Sequence, residues 1–251
     1  MFSNIAKGLR ALRRYGVLQK GPWWTNARMV FADVPLEYEV VKEWVPFPLT
    51  IPKQPVATVF MAHYPHCAFG VPYLEVGVMV QVKLFGIFPM LHCPWMLVDD
   101  DLHLINGREL LGYPKKMAQM EFEEKDGRFV GSATRRGQEV FRIEGTIGKS
   151  LTNPRPGAGQ WWINMRHMLT FFPGHLVAFR PQETVHHANE MPDIKVTFSP
   201  SEFDPIGHVT GPARHGSIRT CDFTGNITLP PLRVWPVGPF FQSKLLPLRT
   251  R

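Results

Sequence analysis

Gln119-Met120-Glu121-Phe122-Glu123-Glu124-Lys125-Asp126-Gly127-Arg128-Phe129-Val130-Gly131-Ser132-Ala133-Thr134-Arg135-Arg136-Gly137-Gln138-Glu139-Val140-Phe141-Arg142-Ile143-Glu144-Gly145 is the stretch that decides the fold class. Apolar and polar residues alternate over 119–124, 128–135 and 138–145, the period of strands that bury one face. Asp126-Gly127 and Arg136-Gly137 separate them with residues suited to tight hairpin turns, so the spacing predicts an antiparallel three-stranded meander.

The same texture extends outward. Segments 56–64, 75–85 and 95–99 read as strands on the N-terminal side, and 176–180, 183–187, 195–198 and 217–229 on the other, with Pro- and Gly-containing loops between them. Helical periodicity is confined to two places. Residues 1–15 carry Ile5, Leu9 and Leu12 on one face among basic residues, and 34–44 place Leu36, Val40, Val41 and Trp44 together before Val45-Pro46 stops the helix. The expectation is a mainly β, β-rich α+β protein of antiparallel sheets with few short helices. No internal repeat, low-complexity tract or linker interrupts the chain. It is expected to form a single domain over 1–251, with 1–28 a basic N-terminal arm and 231–251 a C-terminal tail.

A chain of 251 residues with 44% hydrophobic content can build a core without disulfides. Its formal charge of +7 invites a nucleic-acid reading that the distribution removes. Residues 1–28 and 223–251 hold ten bases and no acid, leaving 18 of the 28 bases against all 21 acids, so the middle of the chain is slightly acidic. Cys67, Cys93 and Cys221 are too few and too odd in number for a disulfide framework. The longest apolar run, 76–91, is broken by Gln81 and Lys83 and falls short of a membrane span. A cytoplasmic protein with no integral membrane segment and no nucleic-acid partner is expected.

Dinucleotide, P-loop, serine-hydrolase and zincin signatures are absent. His63, His66 and Cys67, the His92-Cys93 pair and His186-His187 lack the paired spacing of a zinc site, so no metal is expected. Asp99-Asp100-Asp101 reads as a solvated strand end. The segment Gly107-Arg108-Glu109-Leu110-Leu111-Gly112-Tyr113-Pro114-Lys115-Lys116-Met117-Ala118 stands apart, because its adjacent lysines are flanked by apolar residues instead of further charge. A lysine that enters an apolar pocket beside another cation is penalised when protonated, which favours a nucleophilic amine.

These residues resemble the G-R-E-L…G-[YF]-P-K-K motif of the acetoacetate decarboxylase superfamily, and every element of it is present. Tyr73-Leu74-Glu75-Val76-Gly77 resembles that family's Y-x-E-x-G strand, and Asn26-Ala27-Arg28 its N-R segment with a one-residue shift. Ile227-Thr228-Leu229-Pro230 is compatible with its last strand. One position departs: a second family glutamate, on the strand ahead of Met61-Ala62, reads Val59 here.

The resemblance implies a closed or cone-like barrel, a homo-oligomer, a small keto-acid substrate and no cofactor. Lys115 would be the Schiff-base residue and Lys116 the neighbouring cation; the family is a standard example of such activation. Glu75 would relay a proton or orient the imine, and Arg28 would hold a substrate carboxylate. Tyr73, Tyr113, Met61, Phe85 and Met117 are expected near the pocket, with Arg108 and Glu109 bracing the lysine loop. The implied reaction is decarboxylation of a β-keto acid such as acetoacetate. Two alternatives remain open: a pyruvate aldolase-dehydratase using the same lysine, or a barrel that binds a small ligand without chemistry, which the Val59 departure motivates.

Overall fold

The computed structural model describes residues 21–152, 154, 160–167, 174–202, 204, 206, 212–225 and 232–237. In chain order its elements are β1 (Trp24–Pro35), α1 (Tyr38–Trp44), β2 (Leu49–Thr50), β3 (Val56–Tyr64), β4 (His66–Cys67), β5 (Tyr73–Leu84), β6 (Phe88–Val98), α2 (Asp101–Leu111) and β7 (Lys115–Met117). They continue with β8 (Gln119–Lys125), β9 (Arg128–Arg135), β10 (Gln138–Thr146), β11 (Trp162–Arg166), β12 (Gly174–Phe179), β13 (Pro181–Met191), β14 (Lys195–Phe198), β15 (Arg214–Gly225) and β16 (Leu232–Val237).

The meander forms as its turns require. Asp126 and Gly127 have φ of 50° and 73°, and Arg136 and Gly137 have φ of 51° and 80°. Two successive positive φ values match the right-handed twist of the flanking strands. β8, β9 and β10 then pair with β14 in the order β14-β10-β9-β8.

The remaining twelve strands make one sheet along the path β13-β15-β1-β3-β5-β6-β11-β12-β16, with β2, β4 and β7 attached at its sides. Its ends are β13 and β16, and among the described residues no ladder joins them into the expected closed barrel. The sheet is also not purely antiparallel, because β6 runs parallel to both β7 and β11.

Both faces of this sheet are covered, which explains the continuous apolar runs. On β5, Val76, Val78, Val80 and Val82 pack with Phe129, Phe141 and Ile143 of the four-stranded sheet in one core. The alternate residues Tyr73 and Met79 belong to a second core that borders a cavity. Strand alternation therefore separates the cavity-facing residues Met29, Phe31, Phe60, Tyr73, Glu75 and Met79 from their core-facing neighbours on β1, β3 and β5.

Several boundaries differ from expectation. The helix predicted over 34–44 begins only at Tyr38, because Asp33, Val34 and Pro35 still pair with β3 as the end of β1. β6 starts at Phe88, and α2 replaces the loop expected ahead of the lysines. Residues 24–28 of the expected arm lie in β1, and β16 occupies 232–237 of the expected tail. The helix predicted over 1–15, and Ile227 to Pro230, lie outside the described residues.

Candidate functional site

The lysine pair is positioned by α2 and β6. Asp100 caps the helix by accepting from the His103 backbone N–H at 3.0 Å, and Gly112 ends it with φ of 70°. The chain then turns through Tyr113-Pro114 into β7, whose Lys115 and Lys116 lie opposite Met96 and Leu97. The guanidinium of Arg108 donates to the Lys115 carbonyl at 3.0 Å, the bracing expected of it.

Consecutive strand residues point to opposite faces. Lys115 enters the cavity, where its ammonium contacts the Glu75 carboxylate and lies 5.7 Å from the Tyr73 ring centroid and 5.8 Å from that of Tyr113. It passes directly under α2: a Cβ on Gly107 would fall 2.6 Å from its Cδ and Cε. Only glycine admits the lysine there. Lys115 and Glu75 are 5% and 6% exposed, so each is a buried charge whose neutralisation depends on the other.

Lys116 does not share that pocket, which corrects its expected role as the flanking cation. It faces the other side and pairs with Asp204, which also accepts from Arg135 Nε at 2.5 Å and Trp95 Nε1 at 3.1 Å. Burial pulls the Lys116 pKa down to about 8 against the opposing pull of Asp204, with Arg135 and Arg108 lowering it further.

The same alternation relocates other expected site residues. Arg28 aligns with His63 and Thr220, not with the cavity row, and its guanidinium makes a bidentate pair with Glu124 at 2.6 and 2.8 Å. Its neighbour Met29 lines the cavity. Met61 lies in the core between the sheets, against Gly131. Val59 faces that core too, so it leaves no gap in the pocket wall; the cavity-facing residue beside it is Phe60. Phe85 and Met117 are exposed. Tyr73 and Tyr113 are placed as expected.

The cavity has a volume of about 1150 Å³. Two groups on its walls carry no local sequence signature. Arg219 of β15 lies 4.2 Å over the Phe31 ring and pairs with Glu183 of β13 at 3.3 Å, both side chains almost fully buried. His103 stacks on Tyr73 with centroids 3.7 Å apart. Its Nδ1 lies 2.5 Å from Asp100, an acceptor, so Nδ1 carries the proton and Nε2 accepts from the Cys67 thiol at 3.3 Å. Burial lowers the His103 pKa, which favours the neutral ring, and burial raises that of Cys67, which disfavours its thiolate. Among the described residues no group of three His, Cys, Asp or Glu is arranged to hold a metal ion.

A buried amine beside one carboxylate, at the wall of a large apolar cavity, can form an imine with a carbonyl compound and exchange protons through the carboxylate. The sequence model of the acetoacetate decarboxylase family matches residues 14–224. Among solved structures, the fold is similar to acetoacetate decarboxylase from Legionella pneumophila subsp. pneumophila str. Philadelphia 1. That likeness has 15% identity and a TM-score of 0.74, covering 86% of this chain and 88% of that one. It is also similar to the enduracididine biosynthesis enzyme MppR complexed with pyruvate, with 17% identity, a TM-score of 0.67 and coverage of 82% and 88%. An acetoacetate decarboxylase-like enzyme from Sphingomonas wittichii RW1 has 16% identity, a TM-score of 0.67 and coverage of 84% and 92%. At these identities the likeness is one of fold. No curated protein sequence matches the chain.

Proposed function

Because this chain belongs to the acetoacetate decarboxylase family, we propose that it is a Schiff-base-forming carbon–carbon lyase that decarboxylates a β-keto acid through Lys115. The observation that carries the reading is the buried contact between the Lys115 ammonium and the Glu75 carboxylate on the cavity wall. Proton transfer within that pair gives a neutral amine and a carboxylic acid, a nucleophile and an acid already in contact.

The amine attacks the ketone carbon. Glu75 returns its proton as the carbinolamine hydroxyl leaves as water, and an iminium remains on Lys115. The bond to the substrate carboxylate breaks, carbon dioxide departs, and the bonding electrons enter an enamine. A proton drawn from solvent through Glu75 then adds to the enamine carbon, and water hydrolyses the new iminium to release ketone and amine. Each turnover consumes one solvent proton. No metal or organic cofactor enters these steps.

A second reading keeps the lysine and changes the electrophile. MppR has been captured with the condensation product of pyruvate and imidazole 4-carboxaldehyde, and a cavity of about 1150 Å³ has room for a keto acid and an aldehyde together. Carbon dioxide release from a β-keto acid, lost in Lys115→Met, supports the decarboxylase. An unsaturated keto acid formed from pyruvate and an aldehyde supports the aldolase-dehydratase. Formation of neither product by the wild-type protein would favour the remaining alternative, a fold that binds a small ligand without chemistry. Among the described residues no helix is long and apolar enough to cross a membrane, and a cytoplasmic enzyme is part of the proposal.

A further inference from the structure

Six aromatic rings close a circuit through the Lys115 amine. Tyr73 stacks on Tyr64 with centroids 4.7 Å apart, Tyr64 meets Trp24 at 5.9 Å, and Trp24 meets Phe223 at 5.5 Å. Phe223 meets Trp162 at 6.2 Å and Trp162 meets Tyr113 at 6.1 Å. Tyr73 and Tyr113 then flank the amine from either side. These residues come from six strands and loops far apart in sequence, yet all of them line the same cavity. The rings pack on one another, most of them as part of the second core, and also border open volume.

From this arrangement we infer that the substrate is a keto acid carrying an aryl body, not one as small as acetoacetate or pyruvate, an inference that rests on the Schiff-base reading above. The volume argues for size: about 1150 Å³ exceeds the ~300–1,000 Å³ of ordinary small-molecule sites. A small substrate would leave most of that volume to water. The ring geometry argues for an aromatic body over an alkyl chain. Neighbouring rings meet at 50°, 66°, 48° and 86° along the Tyr64-Trp24-Phe223-Trp162-Tyr113 arc. They present both faces and edges, so the edge and face of a guest ring each find an oppositely polarised partner. Burial also holds the phenols of Tyr64, Tyr73 and Tyr113 protonated well above their usual range, so the circuit carries no phenolate charge to repel a carboxylate.

Burying a phenyl ring against such walls improves affinity on the order of 100-fold over the unsubstituted acid. The test has two arms. In the first, 4-phenylbutanoate, butanoate and decanoate, none able to form an imine, are titrated against the full-length protein by calorimetry. 4-Phenylbutanoate is expected to bind about 100-fold more tightly than butanoate and more tightly than decanoate. Tyr64→Ala and, as an independent variant, Phe223→Leu should shrink that gap, with melting temperatures checked to confirm folding. In the second arm, borohydride trapping on Lys115 is compared for 3-oxo-3-phenylpropanoate and acetoacetate, and the aryl compound should trap faster. Equal trapping of the two keto acids with no aryl preference in the titrations overturns this inference and leaves the Schiff-base reading standing. Tighter binding of decanoate overturns the aryl body in favour of an alkyl chain. Tight aryl binding with no trapping of any keto acid overturns the Schiff-base reading and with it the substrate.

Discussion

Adding one methyl group at Gly107 tests how the reactive amine is held. The new Cβ of Gly107→Ala would sit 2.6 Å from two methylene carbons of Lys115 and 3.1 Å from its nitrogen. Carbon atoms rest ~3.5–4.0 Å apart, so the overlap is about 1 Å. The helix cannot readily retreat, because the Gly107 carbonyl accepts from the Tyr113 N–H at 3.1 Å and so ties α2 to the approach to β7. The lysine chain must move instead. Overpacking of this kind costs about 1–3 kcal/mol, offset by about 1 kcal/mol of helix propensity gained by replacing glycine with alanine. Stability should therefore fall by no more than about 2 kcal/mol. A displacement near 1 Å costs a positioned group about 100-fold in rate. The assay pairs thermal unfolding with the rate of borohydride trapping by a keto acid. A folded Gly107→Ala protein that traps substrate at the wild-type rate would refute the claim that this contact positions the amine.

Other consequences follow from the same geometry. Lys116, with its pKa at about 8 when folded against an ordinary value of ~10.4 when unfolded, binds its proton less well in the folded state. Its burial penalty is fully present below pH 8 and is relieved as pH rises toward the unfolded value. Urea unfolding at pH 7 and pH 10 should show wild type gaining about 2 kcal/mol over Lys116→Met across that interval; equal pH dependence of the two would contradict the assignment. Arg28→Ala should leave trapping unchanged and cost about 1 kcal/mol or less, because its pair with Glu124 is partly exposed. Arg219→Met should cost about 3–5 kcal/mol by stranding the buried Glu183, with part recovered in Arg219→Met/Glu183→Gln. Denaturation curves that rank Arg28 above Arg219 would contradict both placements. Finally, Phe47, Ile87 and Phe88 are 71%, 69% and 57% exposed, and Phe85 and Phe47 both pack on Trp235. We propose this apolar patch as the surface on which copies of the chain would associate. Light scattering should find an oligomer that Ile87→Asp/Phe88→Asp disrupts, and a wild-type monomer would dismiss it.

How much of this was legible in the sequence depended on the kind of signal. The strand Val56–Tyr64 and the meander strand Arg128–Arg135 match their predicted bounds because local alternation and turn residues define them. β1 escaped because register shifts interrupt its alternation and it ends in a proline that reads as a helix start. α2 escaped because Ile105 and Leu110 are exposed, and only His103 and Gly107 are buried, so it has no apolar stripe to detect. In the site, the lysine motif pointed to Lys115 and the separate Tyr73–Gly77 resemblance to Glu75, two residues that the structure brings into contact. The parity that separates Lys115 from Lys116 and Met29 from Arg28 needed only the rule that strand neighbours face opposite ways. Arg219 and Glu183 could not be found this way, because only the pairing of β15 with β1 and β13 brings them to the cavity.

The proposed chemistry rests on one bond between Lys115 and a keto substrate. Borohydride reduction of the wild-type protein with 3-oxo-3-phenylpropanoate, then with acetoacetate, followed by peptide mass mapping, reads that bond directly. The expected result is a single adduct on Lys115, absent in Lys115→Met and undiminished in Arg28→Ala. An adduct on Lys116 or on exposed lysines alone, or none with any keto acid, would contradict the role proposed for Lys115.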